Sequence, residues 1–464
     1  MVTGFLLDPD PVATVEEYLA SDVGGRGLAV AHDLGRSETI ERVRASGLRG
    51  RGGGGFLTGA KWQGIAGQGS SRRYVVCNGA EGEPGTFKDR ALIRSNPYQV
   101  IEGLFIAAFA VDSTDVYVCV KASYSRELER LTRAIEGLQQ HGLGTDLTVT
   151  IVAGPDDYLF GEEKAMLEVI EGKPPLPRAF PPYEQGLFAW SPELGWESTP
   201  AAVGSRRDDP HPTLVNNVET LANVPHIVAR GEEWFRSMGT ADSPGTVVCT
   251  VVGDVVAPDI GEIEMGTPLG AAIDAVGSGV HSGRSVKAVF SGVSNAVVPG
   301  HLLATPLSYE AMEGIGSGLG SAGLIVYDDT ACMVEVACRF SDFLSLESCG
   351  QCSPCKLGSA EITAHLDRIE AGLGSDRDLE VVSAWLRRVT DASRCYLATE
   401  EQTVISSILR TFPEEFADHL ERHRCPRPRS LPIPKLVELS EGRATYAGHD
   451  DASPVDGSRG LGND

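Results

Sequence analysis

Three cysteines, Cys349, Cys352 and Cys355, stand at C-x2-C-x2-C spacing in the segment ESCGQCSPCK. Three thiols within seven residues, on a turn that carries Gly350 and Pro354, can converge on one inorganic cluster. A four-cysteine cluster then takes its fourth thiolate from elsewhere in the chain. Zinc is the structural alternative, but zinc sites favour two separated C-x2-C knuckles. Three evenly spaced cysteines plus a remote one favour [4Fe–4S]. Cys249, Cys332, Cys338 and Cys425 show no such spacing and read as structural thiols.

A second stretch with chemical reach is GLRGRGGGGFLTGAKW, residues 47–62, in which seven of sixteen residues are glycine and three are basic. Consecutive glycines remove every Cβ, allow positive φ and let backbone N–H groups turn together toward an anion. Arg51 and Lys61 bracket the loop with positive charge, and Phe56 offers a flat apolar face on which a ring can stack. Phosphate plus ring points to a nucleotide. A flexible linker would carry Ser and polar residues rather than an embedded Phe and Trp. Gly50-x-Gly52-x-x-Gly55 matches the dinucleotide fingerprint, but that pattern needs a strand immediately before it. The preceding TIERVRAS has helical spacing, so this is a glycine loop of another kind.

Two further motifs carry carboxylates. CNGAEGEPGTFKDR, residues 77–90, places Glu81 and Glu83 just beyond the strand-like run RYVVCN, where open α/β sheets bind ligands. DYLFGEEKAMLEVIEG, residues 157–172, puts Tyr158, Glu162 and Glu163 at the start of a helix, where the dipole alone favours carboxylates. In TLVNNVETLANVP, residues 213–225, Asn216 and Asn217 read as ordinary helix caps.

The frame for these motifs follows from periodicity. Strand-like runs at 73–78, 115–120 and 146–153 alternate with helical segments at 97–111 and 125–140, which implies crossover connections and a parallel sheet. Cys77 and Cys119 fall on those strands as buried small residues. From Gly245 the pattern changes to short β-rich runs at 246–253, 287–290 and 323–327 with one helix at 268–275, as in a small β-grasp domain serving interaction or packing. Helical periodicity at 359–370, 378–389, 400–410 and 413–423 surrounds the cysteines with a bundle.

A chain of 464 residues implies two to four domains. Its formal charge of −24, from 40 basic and 64 acidic residues, argues against a nucleic-acid partner. No span reaches the roughly 20 apolar residues of a membrane helix. The N-terminus lacks the basic and apolar regions of a signal peptide, so a cytoplasmic location is expected, with cysteines as thiols or metal ligands.

Taken together, the glycine-rich and glutamate motifs resemble the flavin- and NADH-binding 51-kDa (F) subunit of respiratory complex I, whose relatives serve NAD-linked hydrogenases and formate dehydrogenases. The resemblance covers roughly residues 35–425. It implies an α/β Rossmann-like FMN domain, a β-grasp domain of the soluble-ligand-binding (SLBB) type and a C-terminal helical iron–sulfur bundle. The expected boundaries are a helical lead-in at 1–46, then domains at 47–240, 241–330 and 331–425, and a partly disordered tail at 426–464. The implied function is an NADH dehydrogenase flavoprotein subunit, in which NADH gives hydride to FMN and single electrons leave through a [4Fe–4S] cluster. Carried over by motif, Gly50, Arg51, Gly52, Lys61, Asn78, Glu81, Gly161, Glu162, Asn216, Asn217 and Thr220 hold FMN. Phe56, Glu83, Tyr158, Glu163 and Tyr183 hold NADH, with Glu163 against the nicotinamide and Glu163 and Glu83 as the catalytic pair. The fourth cluster ligand is Cys395. Glu83 and Glu163 are expected to repel the additional phosphate of NADPH. The implied partner is a separate [2Fe–2S] or ferredoxin-type protein within a larger redox complex.

The sequence departs from the family pattern at four substituted positions and one insertion. Ala80 replaces an aspartate, Gly64 an aromatic that stacks on adenine, Phe160 a cysteine and Lys164 a threonine, and residues 189–209 look inserted. Two other readings therefore stay open: an FMN/[4Fe–4S] subunit using a donor other than NADH, and a structural subunit with degenerate nucleotide binding.

Overall fold

The computed structural model describes residues 4–7, 10–189, 209–429, 431, 433–440 and 442–446. The chain begins with α1 (Val15–Leu19), α2 (Arg26–Leu34), α3 (Arg36–Ser46), α4 (Thr58–Ala66), β1 (Tyr74–Gly79) and α5 (Lys88–Ser95). It continues through α6 (Pro97–Val111), β2 (Asp115–Lys121), α7 (Ser125–Gln140) and β3 (Thr148–Gly154). After a 3-10 turn, Tyr158–Gly161, come α8 (Glu163–Ile170), β4 (Thr213–Asn217), α9 (Val218–Arg230) and α10 (Glu232–Arg236). The four strands form an all-parallel sheet in the order β3-β2-β1-β4.

Helix α6 is the inner support of this sheet. Asn96 caps it, Pro97 starts it without a lost donor, and its apolar sequence is buried almost all round. Its one carboxylate, Glu102, accepts hydrogen bonds from the Tyr18 hydroxyl (2.6 Å) and from the N–H groups of Gly25 (2.7 Å) and Leu28 (2.8 Å), tying the N-terminal helices to the core. Strand β4 escapes the periodicity reading because TLVNN ends in two cap-forming asparagines. Asn217 is both the last strand residue and the N-cap of α9.

A second unit contains β5 (Thr246–Gly253), β6 (Asp259–Glu264), α11 (Leu269–Gly277), β7 (Val286–Ser291), β8 (Val298–Pro299), α12 (Tyr309–Gly314) and β9 (Gly323–Asp328). Its mixed sheet runs β6-β5-β9-β7-β8, with β5 and β9 parallel and the other pairs antiparallel. Apolar residues of this sheet, among them Phe290 and Tyr327, share a core with the helices that follow. Those are α13 (Met333–Glu347), α14 (Ser353–Glu370), α15 (Asp376–Leu386), α16 (Leu397–Thr411) and α17 (Pro413–Arg422). The chain then returns as a hairpin, β10 (Leu436–Ser440) and β11 (Arg443–Tyr446), to the second motif. There Arg90 Nη1 donates to the Leu436 and Val437 carbonyls, both at 3.1 Å. Residues 450–464, expected to be disordered, and nearly all of 189–209 lie outside the described residues. No helix among the described residues is long and apolar enough to cross a membrane.

One buried acid in the bundle gives a pH prediction. Glu401 on α16 is fully buried; its Oε1 accepts from Ser341 (2.7 Å) while Oε2 has no hydrogen-bond partner. Burial pushes its carboxyl up to about 8. A raised folded-state value means the folded chain retains a proton that the unfolded chain releases, so stability falls as pH rises from the ordinary carboxylate range to about 8. Glu401→Gln removes that loss. Between pH 5 and 8.5 the variant is expected to gain a few kcal/mol, in order of magnitude, over wild type in denaturant titrations. A wild-type-minus-variant difference that does not change with pH would count against a neutral Glu401.

Candidate functional site

In the parallel sheet, β1 leads to β2 on one side and pairs with β4 on the other, so the strand order reverses between β1 and β4. Open α/β sheets bind ligands at the carboxyl ends of strands beside such a reversal. Asn78 and Asn217 are register partners there. Asn78 Nδ2 donates to the Gly161 carbonyl (2.8 Å), which brings the 158–163 segment over the end of β1. Asn216 Oδ1 accepts from Trp62 Nε1 (2.8 Å), and Lys61 Nζ donates to the Val215 carbonyl (2.8 Å), so α4 is held against the end of β4.

The glycine loop enters from helix α3, as its sequence requires, and turns at 51–54. Gly52 lies on Asn217, where an added Cβ would come within 3.1 Å of the Asn217 Cβ. At Gly53 and Gly54 an added Cβ would meet nothing within 4 Å, and Gly53 has φ +116°, which L side chains rarely adopt. The turn is thus an open backbone cradle beside two strand ends. Lys61 also reaches the carboxylate of Glu163 (2.5 Å), whose side chain is 43% exposed. Gly52, Lys61, Asn78, Gly161, Glu163, Asn216 and Asn217 therefore meet at one place.

Other expected site residues are placed differently. Arg51 turns its guanidinium away from the cradle into a buried seam with the five-stranded sheet. There it donates to the carbonyls of Thr246 (2.9 Å) and Pro244 (3.2 Å) and to the Tyr309 hydroxyl (3.3 Å). Its backbone N–H donates to Thr220 Oγ1 (2.9 Å), so Thr220 fastens the loop. Glu81 is spent on the Asp89 N–H (3.1 Å) and the Arg90 guanidinium (3.1 Å). Glu162 caps α8, accepting from Lys164 N (3.0 Å) and Ala165 N (2.9 Å); burial pushes its carboxyl up to about 6. Glu83 accepts from Val293 N (2.7 Å) and from the Tyr158 hydroxyl (2.5 Å), which also reaches Glu400 (3.2 Å). Burial raises the carboxyls of Glu83 and Glu400, which favours protonation in this cluster over phosphate repulsion. Phe56 and Tyr183 are exposed, at 63% and 51%. Phe160 lies under the sheet against Gly154, where a Cβ would come within 2.2 Å of its ring, so it does not narrow the site. At Gly64 an added Cβ would meet nothing within 4 Å.

Several residues were missed by motif reasoning. Lys88 and Asp89 lie inside the second motif, fully packed, with Lys88 bonded to Asp89 (2.7 Å), Asn217 Oδ1 (2.9 Å) and Glu219 (3.1 Å). The charge run KDR was the available signal. Lys121 ends β2 beside Gly82; its Nζ donates to the Asp156 carbonyl (3.0 Å), and burial pushes it down to about 8.

Immediately behind the 158–163 segment, Cys349, Cys352, Cys355 and Cys395 line a single small pocket with Leu159 and Pro177. Cys349 and Cys352 sit on the turn between α13 and α14, Cys355 lies in the first turn of α14, and Cys395 comes from the turn before α16. Burial pushes the Cys395 thiol up to about 12. Such a thiol is at ease as S–H or as a ligand to a cation, which is the chemistry of a metal cluster site. Lys164 donates to the Arg394 carbonyl and so joins α8 to the Cys395 turn. Cys332 and Cys425, read from spacing as structural thiols, instead stand in one cluster with Glu370 and His419.

Residues 43–226 match the family of the Nuo51 FMN-binding domain, and residues 335–419 match the NADH-ubiquinone oxidoreductase-F iron-sulfur binding region. The second F subunit of the NADH-quinone oxidoreductase of Rhizobium meliloti is 38% identical over 417 residues, covering 87% of this chain and 94% of that protein. The chain belongs to the family of NADH-quinone oxidoreductase F subunits. A second relative, the HndC subunit of the NADP-reducing hydrogenase of Solidesulfovibrio fructosivorans, is 34% identical over 91% of this chain and 83% of its own. Among solved structures, the NAD+-reducing [NiFe]-hydrogenase in the H2-reduced state superposes with a TM-score of 0.75 at 32% identity, covering 90% of this chain and 66% of that one. The residues present fit the family's two groups: an open glycine cradle with Lys61 for FMN, and four thiols in one pocket for an iron–sulfur cluster.

Proposed function

We propose that the chain takes hydride from NADH at the β1/β4 strand ends and releases single electrons through the cysteine pocket to a partner protein. The observation that carries this reading is the 158–163 segment. It borders the nucleotide site through Gly161 and Glu163 and the cysteine pocket through Leu159. Bound there, FMN would supply the conversion of a two-electron hydride into single electrons, and a [4Fe–4S] cluster held by the four cysteines would supply one-electron transfer.

Gly50, the cradle at Gly52–Gly54, Lys61, Asn78, Asn216 and Asn217 would hold FMN, with Lys61 as counter-charge. Arg51, Glu81, Glu162 and Thr220 position that set through the contacts described. Phe56 and Tyr183 offer exposed rings for the nicotinamide nucleotide, and Glu163 can accept hydrogen bonds from its ribose or carboxamide. Because Tyr158 and Val293 hold Glu83, discrimination against NADPH falls to Glu163. The five-stranded unit is read as a β-grasp module of the SLBB type for docking within the complex, and a separate [2Fe–2S] or ferredoxin-type protein as the electron acceptor. The domain limits proposed are 1–46, 47–240, 241–330, 331–425 and 426–464.

An anaerobic titration of the holoprotein tests this reading. NADH is expected to bleach the flavin and then reduce the cluster, with NADPH slower. Glu163→Gln is expected to narrow the NADH-to-NADPH ratio about tenfold, roughly 1.4 kcal/mol. Flavin that dithionite bleaches and NADH does not would move the assignment to another electron donor.

A further inference from the structure

Helices α13 and α14 are joined by the short turn that carries Cys349 and Cys352, so the cysteine pocket closes one end of a helical hairpin. The open end of the hairpin carries a second donor set. Cys332 is the N-cap of α13, Glu370 the last residue of α14, His419 lies on α17 and Cys425 just beyond it. Cys332 Sγ stands 3.5 Å from His419 Nε2 and 3.6 Å from Glu370 Oε2, and His419 Nε2 stands 2.9 Å from Glu370 Oε2. With Cys425 Sγ included, the four donor atoms all lie within 4.8 Å of one another.

We propose that these four residues form a structural zinc site, separate from the iron–sulfur pocket. Two sulfurs, one imidazole and one carboxylate are a borderline-soft, four-donor set that suits tetrahedral Zn2+. Zn–N near 2.0 Å and Zn–S near 2.3 Å put tetrahedral ligands roughly 3.3–3.8 Å apart, close to the separations present. The donors are also oriented. His419 Nδ1 lies 2.6 Å from the Glu415 carbonyl, so its N–H points there and Nε2 presents its lone pair to the other three. Cys332 Sγ accepts from the Glu335 N–H (3.5 Å) in the first turn of α13, which fixes the direction of the sulfur. Cys332 and His419 are buried, at 0% and 1% exposure, which suits a closed site without an open coordination position. A His–Glu ion pair alone would gain nothing from two thiols brought to the same point from distant parts of the chain.

The fifteen residues of α13 put this site about 22 Å from the cysteine turn. Zinc has no redox chemistry, so its part is mechanical. It would pin the start of α13, the end of α14, α17 and the segment leading to the β10–β11 hairpin, and thereby hold the hairpin that presents the iron ligands.

Metal analysis of the holoprotein, purified without chelator, tests the proposal. About one zinc per chain is expected beside the iron, with X-ray absorption at the zinc edge giving two sulfur and two nitrogen or oxygen ligands. Cys425→Ser, at a half-buried position, is expected to lose zinc at least roughly tenfold while keeping flavin and iron. Zinc-free wild-type protein, zinc with four sulfur ligands, a Cys332–Cys425 disulfide, or zinc retained by Cys425→Ser would each overturn it. Should Cys425→Ser fail to fold, the ligand count from the zinc edge of the wild type decides.

Discussion

Arg51→Ala is expected to destabilise the protein by about 3–5 kcal/mol whether or not flavin is bound. The side chain is 1% exposed and its guanidinium serves two backbone carbonyls, the Tyr309 hydroxyl and, at 3.9 Å, Glu219. Truncation leaves the Pro244 and Thr246 carbonyls unpaired at the seam between the parallel and mixed sheets. It also unbalances the buried network of Lys88, Asp89 and Glu219. A buried polar group that loses its partner carries the full desolvation cost. Tyr309 adds to the coupling, since its hydroxyl donates to the Gly50 carbonyl (2.9 Å) and its ring fills the space beside Gly55, so the glycine loop loosens with the seam. The discriminating measurement is denaturant unfolding of flavin-free and flavin-loaded protein side by side. A residue that binds phosphate through its guanidinium would stabilise only the loaded form. Equal losses in both forms identify a strut, and a loss confined to the loaded form would return Arg51 to the flavin.

That contrast shows what the sequence could and could not convey. The glycine loop was legible because consecutive glycines have few uses, and the helix before it excluded the strand-preceded dinucleotide fingerprint. Its neighbours Arg51 and Lys61 look equivalent in sequence, yet one is buried in a seam and the other faces Glu163. The direction of a side chain leaving an irregular loop depends on which carbonyls lie behind it, and those carbonyls belong to residues almost two hundred positions later. The helices at 97–111 and 125–140 were readable to the residue, because Pro97 begins one and strong amphipathic spacing runs through the other. Strand β4 was not, since five residues ending in two asparagines resemble a cap as much as a strand end. The glutamates illustrate the same limit. Glu81, Glu83 and Glu162 match the family motifs, but hydrogen bonding within the protein already occupies them, and only Glu163 keeps substantial exposure. Local spacing identified the three-cysteine turn. The Cys332, Glu370, His419 and Cys425 set has no local spacing at all, because its donors meet only when helix ends pack.

Cys395→Ala is expected to separate the two halves of the activity. Cys395 alone among the four pocket thiols comes from outside the α13–α14 turn and the first turn of α14, 40 positions after Cys355 (395 − 355), so its loss leaves the other three in place. Three thiolates do not complete the four-cysteine ligation that a [4Fe–4S] cluster takes. Iron content should fall, and electron delivery to a one-electron acceptor should drop about 100-fold or more, equivalent to roughly 2.7 kcal/mol of barrier. Hydride uptake should survive, because Lys61, Asn78, Glu163 and the glycine cradle meet the Cys395 turn through Leu159 and the Lys164–Arg394 contact, neither of which needs the Cys395 thiol. Single-turnover bleaching of flavin by NADH should therefore stay close to the wild-type rate while steady-state transfer fails. The melting temperature of the flavin-loaded variant checks that the bundle remains folded. Cys425→Ala is the internal control, since that thiol belongs to the other end of the α13–α14 hairpin and its loss should leave iron in place. Iron retained in full by Cys395→Ala, or lost equally from both variants, would mean that the pocket seen behind Leu159 is not where the cluster is held.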